Sequence, residues 1–138
     1  MKLRPFARAF ADTIYRTDYF VVCSAPIDFL PALRKLLTKN VNVGLANGII
    51  DGVSAHSVDE CNGRCWRLEM SSRNHIAVIY LRPGADVSVV THEAWHAAFW
   101  VFQERAVRLD CGLSPRDNGA DEPMAYYLQW LVRSILKL

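Results

Sequence analysis

Apolar residues recur along this chain in two periods, and the alternation between them divides it into elements. From Pro5 to Tyr15, Phe6, Ala9, Phe10 and Ile14 stand three to four apart with Arg8, Asp12 and Arg16 on the other side, which predicts an amphipathic helix. Tyr19 to Cys23 (YFVVC) is aromatic and β-branched and stops at Ser24, Ala25 and Pro26, as a short strand does. Ile27 to Thr38 brings Phe29, Leu30, Leu33, Leu36 and Leu37 to one side and Arg34 and Lys35 to the other, with Lys39 following: a second helix, cationic toward its end. Asn40 to Asp51, with Asn40, Asn42, Gly44, Asn47 and Gly48, reads as a loop with some extended character.

Two or three strands follow, Val53 to Val58, Cys65 to Met70 and Ile76 to Leu81, separated by the turns DECNGR and SSRN, an arrangement that predicts an antiparallel meander. Pro83 and Gly84 end it, Asp86 or Ser88 can cap a helix, and that helix is expected to run to about Arg108. Leu109 to Asp121 is a polar connection that lets the chain reverse. Pro123, suited to a first helical position, then opens a last helix to Leu136 whose packing side is Met124, Tyr127, Leu128, Leu131, Ile135 and Leu136. The expected fold is α+β: a small antiparallel or mixed sheet packed on helices. Nothing repeats and no composition break divides residues 1–138, so a single domain is expected.

Composition narrows the classes of function. At 138 residues, 51% hydrophobic and 22% charged, the chain can bury a core without staples. A net charge of +2 is too weak to imply nucleic acid. No apolar run approaches the roughly 20 residues of a spanning helix, so no membrane partner is expected. Met1 to Tyr19 mixes Arg4, Arg8, Asp12, Arg16 and Asp18 among its apolar residues, unlike a signal peptide. The four thiols, Cys23, Cys61, Cys65 and Cys111, are therefore expected to be reduced, in the cytoplasm. Cys61 and Cys65 form CxxxC around a turn, but a structural zinc needs four ligands and no second paired motif exists, so buried thiols are the preferred reading.

The chemistry concentrates in Thr91 to Trp100, THEAWHAAFW, which spaces His92, Glu93 and His96 as HExxH. On a helix the i, i+4 step places both imidazoles on one face about a turn apart, where they can share one ion. Glu93 falls beside that ion, able to take a proton from an activated water, the arrangement zinc hydrolases need. The apolar flanks, among them Val89, Val90, Ala94, Ala97, Ala98 and Val101, predict a largely buried helix with two buried histidines.

A catalytic zinc takes three protein ligands and keeps one position open. The extended pattern HExxHxxGxxH is excluded, because Phe99 and Phe102 stand at its glycine and histidine positions. Glu104 lies about 12 Å along the helix from His96, out of reach. Glu122, opening the last helix, is the preferred third ligand, although Asp121 and Glu122 before a proline also suit a helix cap. Asp121 and Asp117 come next, then His75 and His56.

HEAWH, a polar connection and an acidic residue opening a second helix (DEPMAYYLQW) together resemble the gluzincin branch of the zincin metallopeptidases, most closely its minimal-domain members, including short HExxH proteins encoded by bacteriophages. The resemblance spans about Ala77 to Leu138. It implies zinc held by His92, His96 and Glu122, with Glu93 as general base, in a bacterial or phage-infected cell. It also implies an edge strand before the motif helix that pairs with extended substrate, a place held by Ile76 to Leu81. Tyr126, one turn from Glu122, would either donate to the developing oxyanion or simply pack. This chain departs from the family in having Pro123 directly after the glutamate and Tyr at 126. The function so implied is zinc-dependent hydrolysis of an amide in a peptide or protein substrate. The alternatives are a zincin-like protein with structural or vestigial zinc that acts by occupying a partner protein, and a metal-free domain with structural histidines.

Overall fold

The computed structural model describes residues 1–70, 75–106 and 122–138, with the side chains of residues 105, 106 and 122 left outside that description. Four strands, β1 (Phe6–Asp12), β2 (Thr17–Cys23), β3 (Gly63–Glu69) and β4 (His75–Leu81), form one sheet in the order β1-β2-β4-β3. β1 pairs antiparallel with β2 and β3 antiparallel with β4, but β2 and β4 run parallel, from Thr17 beside His75 to Cys23 beside Leu81. The sheet is therefore mixed, and of the expected meander the antiparallel pairing of Cys65 to Met70 with Ile76 to Leu81 is found, as β3 and β4.

Helices α1 (Phe29–Asn40) and α2 (Val43–Ser54) cover one face, and α3 (Val87–Val101) and α4 (Glu122–Leu136) cover the other. Alternate residues of the two central strands feed separate cores. Tyr19, Val21, Ala77, Ile79 and Leu81 pack with α3 and α4. Phe20, Val22, Ile76, Val78 and Tyr80 pack with α1 and α2. A parallel pair covered on both faces needs near-continuous apolar sequence, and YFVVC and IAVIYL supply it. The result is an α+β fold with a small mixed sheet between helices.

Three sequence expectations are corrected. Pro5 to Tyr15 is not a helix but an edge strand and its turn. Phe6 and Phe10 are four apart, which suits a helix and equally one face of a strand, and pairing along the whole of β2 decides for the strand. Phe10 stacks on Tyr19 at 5.1 Å across that pair, and Arg16 closes the turn at φ 57°. Asn40 to Asp51 is largely helix, because Asn42 acts as the cap of α2, its Oδ1 accepting from the Leu45 N–H at 2.8 Å. Ala46, Ile49, Ile50 and Val53 then form a buried stripe. Val53 to Val58 is consequently no strand: Val53 completes that stripe and the chain beyond Ser54 turns toward β3.

The remaining elements fall where the periodicity places them. α3 is capped by Asp86, whose carboxylate accepts from the Ser88 N–H at 2.9 Å, and it ends at Val101 in a π-helical turn, Phe102–Ala106. The connection from Leu109 to Asp121 lies outside the described residues. Among the described residues no helix is long and apolar enough to cross a membrane.

Removing the Asn42 cap leaves the first turn of α2 with an unmet donor. Asn42→Ala is expected to lower unfolding stability by about 1 kcal/mol, read as a reduced urea midpoint at unchanged m-value.

Candidate metal centre

α3 runs antiparallel to β4, since its N-terminal half meets Gly63, the partner of Leu81, while Trp100 near its end stacks on His75 at 4.7 Å. Its buried side, with Val90, Ala94, Ala97 and Val101, packs into the core. The i, i+4 pair His92 and His96 consequently falls on the flank toward β3 and solvent. The two Nε2 atoms stand 3.2 Å apart, with the rings at 83° to one another. Two nitrogens bound to a tetrahedral zinc at about 2.0–2.1 Å would be separated by about 3.3–3.4 Å. The pair is thus spaced for one shared ion, and also for a hydrogen bond between neutral imidazoles.

Burial is distributed differently from the expectation. His92 is exposed and His96 half-buried, whereas Glu93 is only 6% exposed. The reason is β3. Gly63 opens this strand against α3, and a Cβ there would stand 2.8 Å from Glu93 Cγ and 2.8 Å from Val89 Cγ1. The missing side chain is what admits the Glu93 carboxylate beneath the strand. Asn62, Gly63, Ser88, Val89, His92 and Glu93 line an open cleft of about 440 Å³. Neither tryptophan of the helix lines it: Trp95 is exposed and stacked on Phe99 at 4.9 Å, and Trp100 stacks on His75.

Burial shifts Glu93 and His96 in opposite directions. Burial raises the Glu93 pKa, partly offset by His92 and Arg64, so the carboxylate is a stronger base than an exposed one. Burial, then the neighbouring His92 and Arg67, lowers the His96 pKa and favours the neutral imidazole that a metal requires. Arg64 and Arg67, both on β3, were not singled out in the sequence, and neither was Gly63. Gly63 and Arg64 fell in the expected turn DECNGR and Arg67 in the expected strand Cys65 to Met70, and no signal in the sequence set either beside the motif helix.

The other predicted site residues are not brought to the pair. β4 is a central strand, paired on both sides and buried at every position, so Ile76 to Leu81 cannot be the substrate-pairing edge; β3 is the edge on that side. Tyr126 is 66% exposed on α4 and lines a groove with Arg8 and Phe10 of β1, at the opposite edge of the sheet from β3. That placement is away from His92 and His96. α4 runs antiparallel to α3: Tyr127 meets Tyr15, Tyr19 and Phe102, and Ile135 accepts from Arg8 farther along β1. Phe102 is already about 9 Å of rise beyond His96, and Glu122 begins α4 before Tyr127, on the side away from the histidines. The described backbone does not carry Glu122 toward the pair, and its side chain lies outside the described residues, as do Asp117 and Asp121. His75 is held by Trp100 and by Glu69 Oε1 at 3.4 Å, and His56 lies beside Phe29 and Val53 in the other helical layer. Among the described residues no group of three His, Cys, Asp or Glu is positioned to hold a metal.

Cys23, Cys61 and Cys65 are free thiols, and Cys111 lies outside the described residues. Burial and then the charge of Glu93 push the Cys65 thiol up to about 12. No family model matches the chain, and neither a curated protein nor a solved structure matches it.

Gly63→Ala is expected to force Glu93 and Val89 aside and cost about 1–3 kcal/mol, measured by denaturant unfolding. At pH 8 the Cys65 thiolate fraction is roughly one part in ten thousand, so iodoacetamide should leave Cys65 unmodified in the native protein and label it after denaturation, as followed by peptide mass mapping.

Proposed function

We propose that the protein is a zinc-dependent hydrolase, most simply a peptidase, working at the cleft between α3 and β3. The observation that carries this reading is the 3.2 Å separation of His92 Nε2 and His96 Nε2, with Glu93 buried one residue away and the cleft open to solvent. His92 and His96 would hold the ion, both as neutral imidazoles. Zinc so held would supply a polarised carbonyl and a water of pKa near about 7. Glu93 would accept the proton of that water on its carboxylate and return it to the leaving nitrogen. Its desolvation under β3 raises its basicity, and Gly63 makes room for it. A peptide would approach along β3, whose outer edge is unpaired among the described residues.

The third ligand is an acid from the segment before or at the start of α4. Asp117, then Asp121, take precedence over Glu122, because the start of α4 stands beyond the C-terminal end of α3, away from the histidines, and Asp117 is the acid farthest from that start in sequence.

Purified protein is expected to carry one zinc per chain by elemental analysis and to hydrolyse members of a quenched-fluorescence peptide library. His92→Ala should lose the zinc. Glu93→Gln should keep it and lower turnover by about 10²–10⁴-fold. Asp117→Asn and Asp121→Asn, tested singly, should include one variant with reduced zinc stoichiometry. Zinc-free protein, or hydrolysis that survives Glu93→Gln, would sink the proposal.

A further inference from the structure

A groove of about 740 Å³ runs between β1 and the outer flank of α4, at the edge of the sheet farthest from the histidine pair. Its α4 wall is a stripe at helical spacing, Tyr126, Trp130 and Arg133, extended by Lys137 just past the helix end, and its β1 wall is Arg8 and Phe10. The volume falls within the range of sites that bury a ligand.

Three features of the groove point to one kind of occupant. Its lining carries three cations and no Asp or Glu side chain, and among the described residues neither Arg133 nor Lys137 pairs with a carboxylate. Cations in the last turn of a helix are ordinary, but the helix end supplies only about half a negative charge, and Arg8 already donates to the Ile135 carbonyl there. Positive charge remains in excess. Next, the aromatic wall is preformed: Trp130 is 38% exposed and is held edge-on by Phe10 at 6.0 Å and by Tyr19 at 6.3 Å. Finally, β1 is a seven-residue edge strand whose outer N–H and C=O groups are unpaired among the described residues. Charge, a lysine or a bulge usually blunts such an edge. β1 has none of the bulges, and its one mid-strand charge, Arg8, is turned onto the Phe6 ring and Ile135.

We propose that this groove binds an extended acidic peptide segment of a partner protein, which adds as a strand to β1 and lays acidic side chains toward Arg133 and Lys137 and an apolar or aromatic side chain against Trp130. Backbone pairing supplies registration, and the cations select the sequence. A second copy of this chain is disfavoured as occupant, because it would set one basic groove against another. The site is independent of the zinc reading: no residue of the groove lines the cleft at Glu93.

The test is fluorescence anisotropy on the full chain with a labelled eight-residue peptide, Glu-Thr-Glu-Thr-Tyr-Thr-Tyr-Thr, whose Glu and Tyr side chains share one face of an extended strand. The expected result is saturable binding that weakens with salt, falls at least tenfold in the double variant R133E/K137E, and falls similarly when alternate peptide amides are N-methylated. Thermal unfolding of the double variant checks that its fold is kept, and if it is not, R133Q/K137Q replaces it with the same expected direction. Equal binding to the variant, indifference to N-methylation, equal or tighter binding of a ten-nucleotide thymidine strand, or salt-dependent self-association in place of peptide binding would each overturn the proposal.

Discussion

The structure depends on covering both faces of a two-strand parallel pair. β2 and β4 present apolar side chains up and down alternately, so neither strand can remain beside water on either side. That requirement recruits four helices, two to each face, and relegates the shorter-patterned strands β1 and β3 to the edges. The helices differ in how closely they approach. α2 uses Gly52 to let Leu68 of β3 come within 3.1 Å of where a Cβ would be, and β3 uses Gly63 to admit Glu93 of α3 from the opposite face. One edge strand is thereby held between helices on both sides, and its fit to α3 determines where the Glu93 carboxylate stands.

The two edges have acquired different chemistry. At β3, the helix that covers the sheet turns two imidazoles outward and a carboxylate inward, which separates a close imidazole pair from a buried carboxylate by one residue of sequence. Along β1, the covering helix turns an aromatic and basic stripe toward an unpaired backbone. The core between them links the edges through Tyr19, whose hydroxyl bonds to that of Tyr127 beneath α4. Both phenols are held in the neutral form by burial, so this link is a packing contact that carries no charge.

Much of this architecture was legible in the residues, and the failures have particular causes. β2, β4, α1, α3 and α4 announce themselves through long apolar runs or sustained helical spacing, and Asp86 is a readable cap. β1 was read as helix because Phe6-Ala7-Arg8-Ala9-Phe10 satisfies two periods at once, and only its partner strand chooses between them. α2 was hidden by its asparagines and glycines, whose local preference for turns is overridden by the stripe from Ala46 to Val53. Strand order could not be read at all: periodicity says which face a residue takes and nothing about which strands are neighbours, and the edge place of Ile76 to Leu81 came from the family resemblance alone. The histidine spacing is a local property of a helix and was therefore visible. The burial of Glu93 is tertiary, set by Gly63 thirty residues upstream, and was not.

The route of the chain through the sheet has a kinetic consequence. β3, β4 and α3 are consecutive in sequence, so the histidine pair and the strand facing it can assemble from contacts of short separation. The β2–β4 pair must instead close a loop that contains both α1 and α2, and the β1–α4 wall joins the two ends of the described chain. Loop closure of that kind is slow and is recovered late, because the entropy is lost before the distant contacts form. The cleft at Glu93 is therefore built from contacts of short sequence separation, and the basic groove from the longest in the described chain.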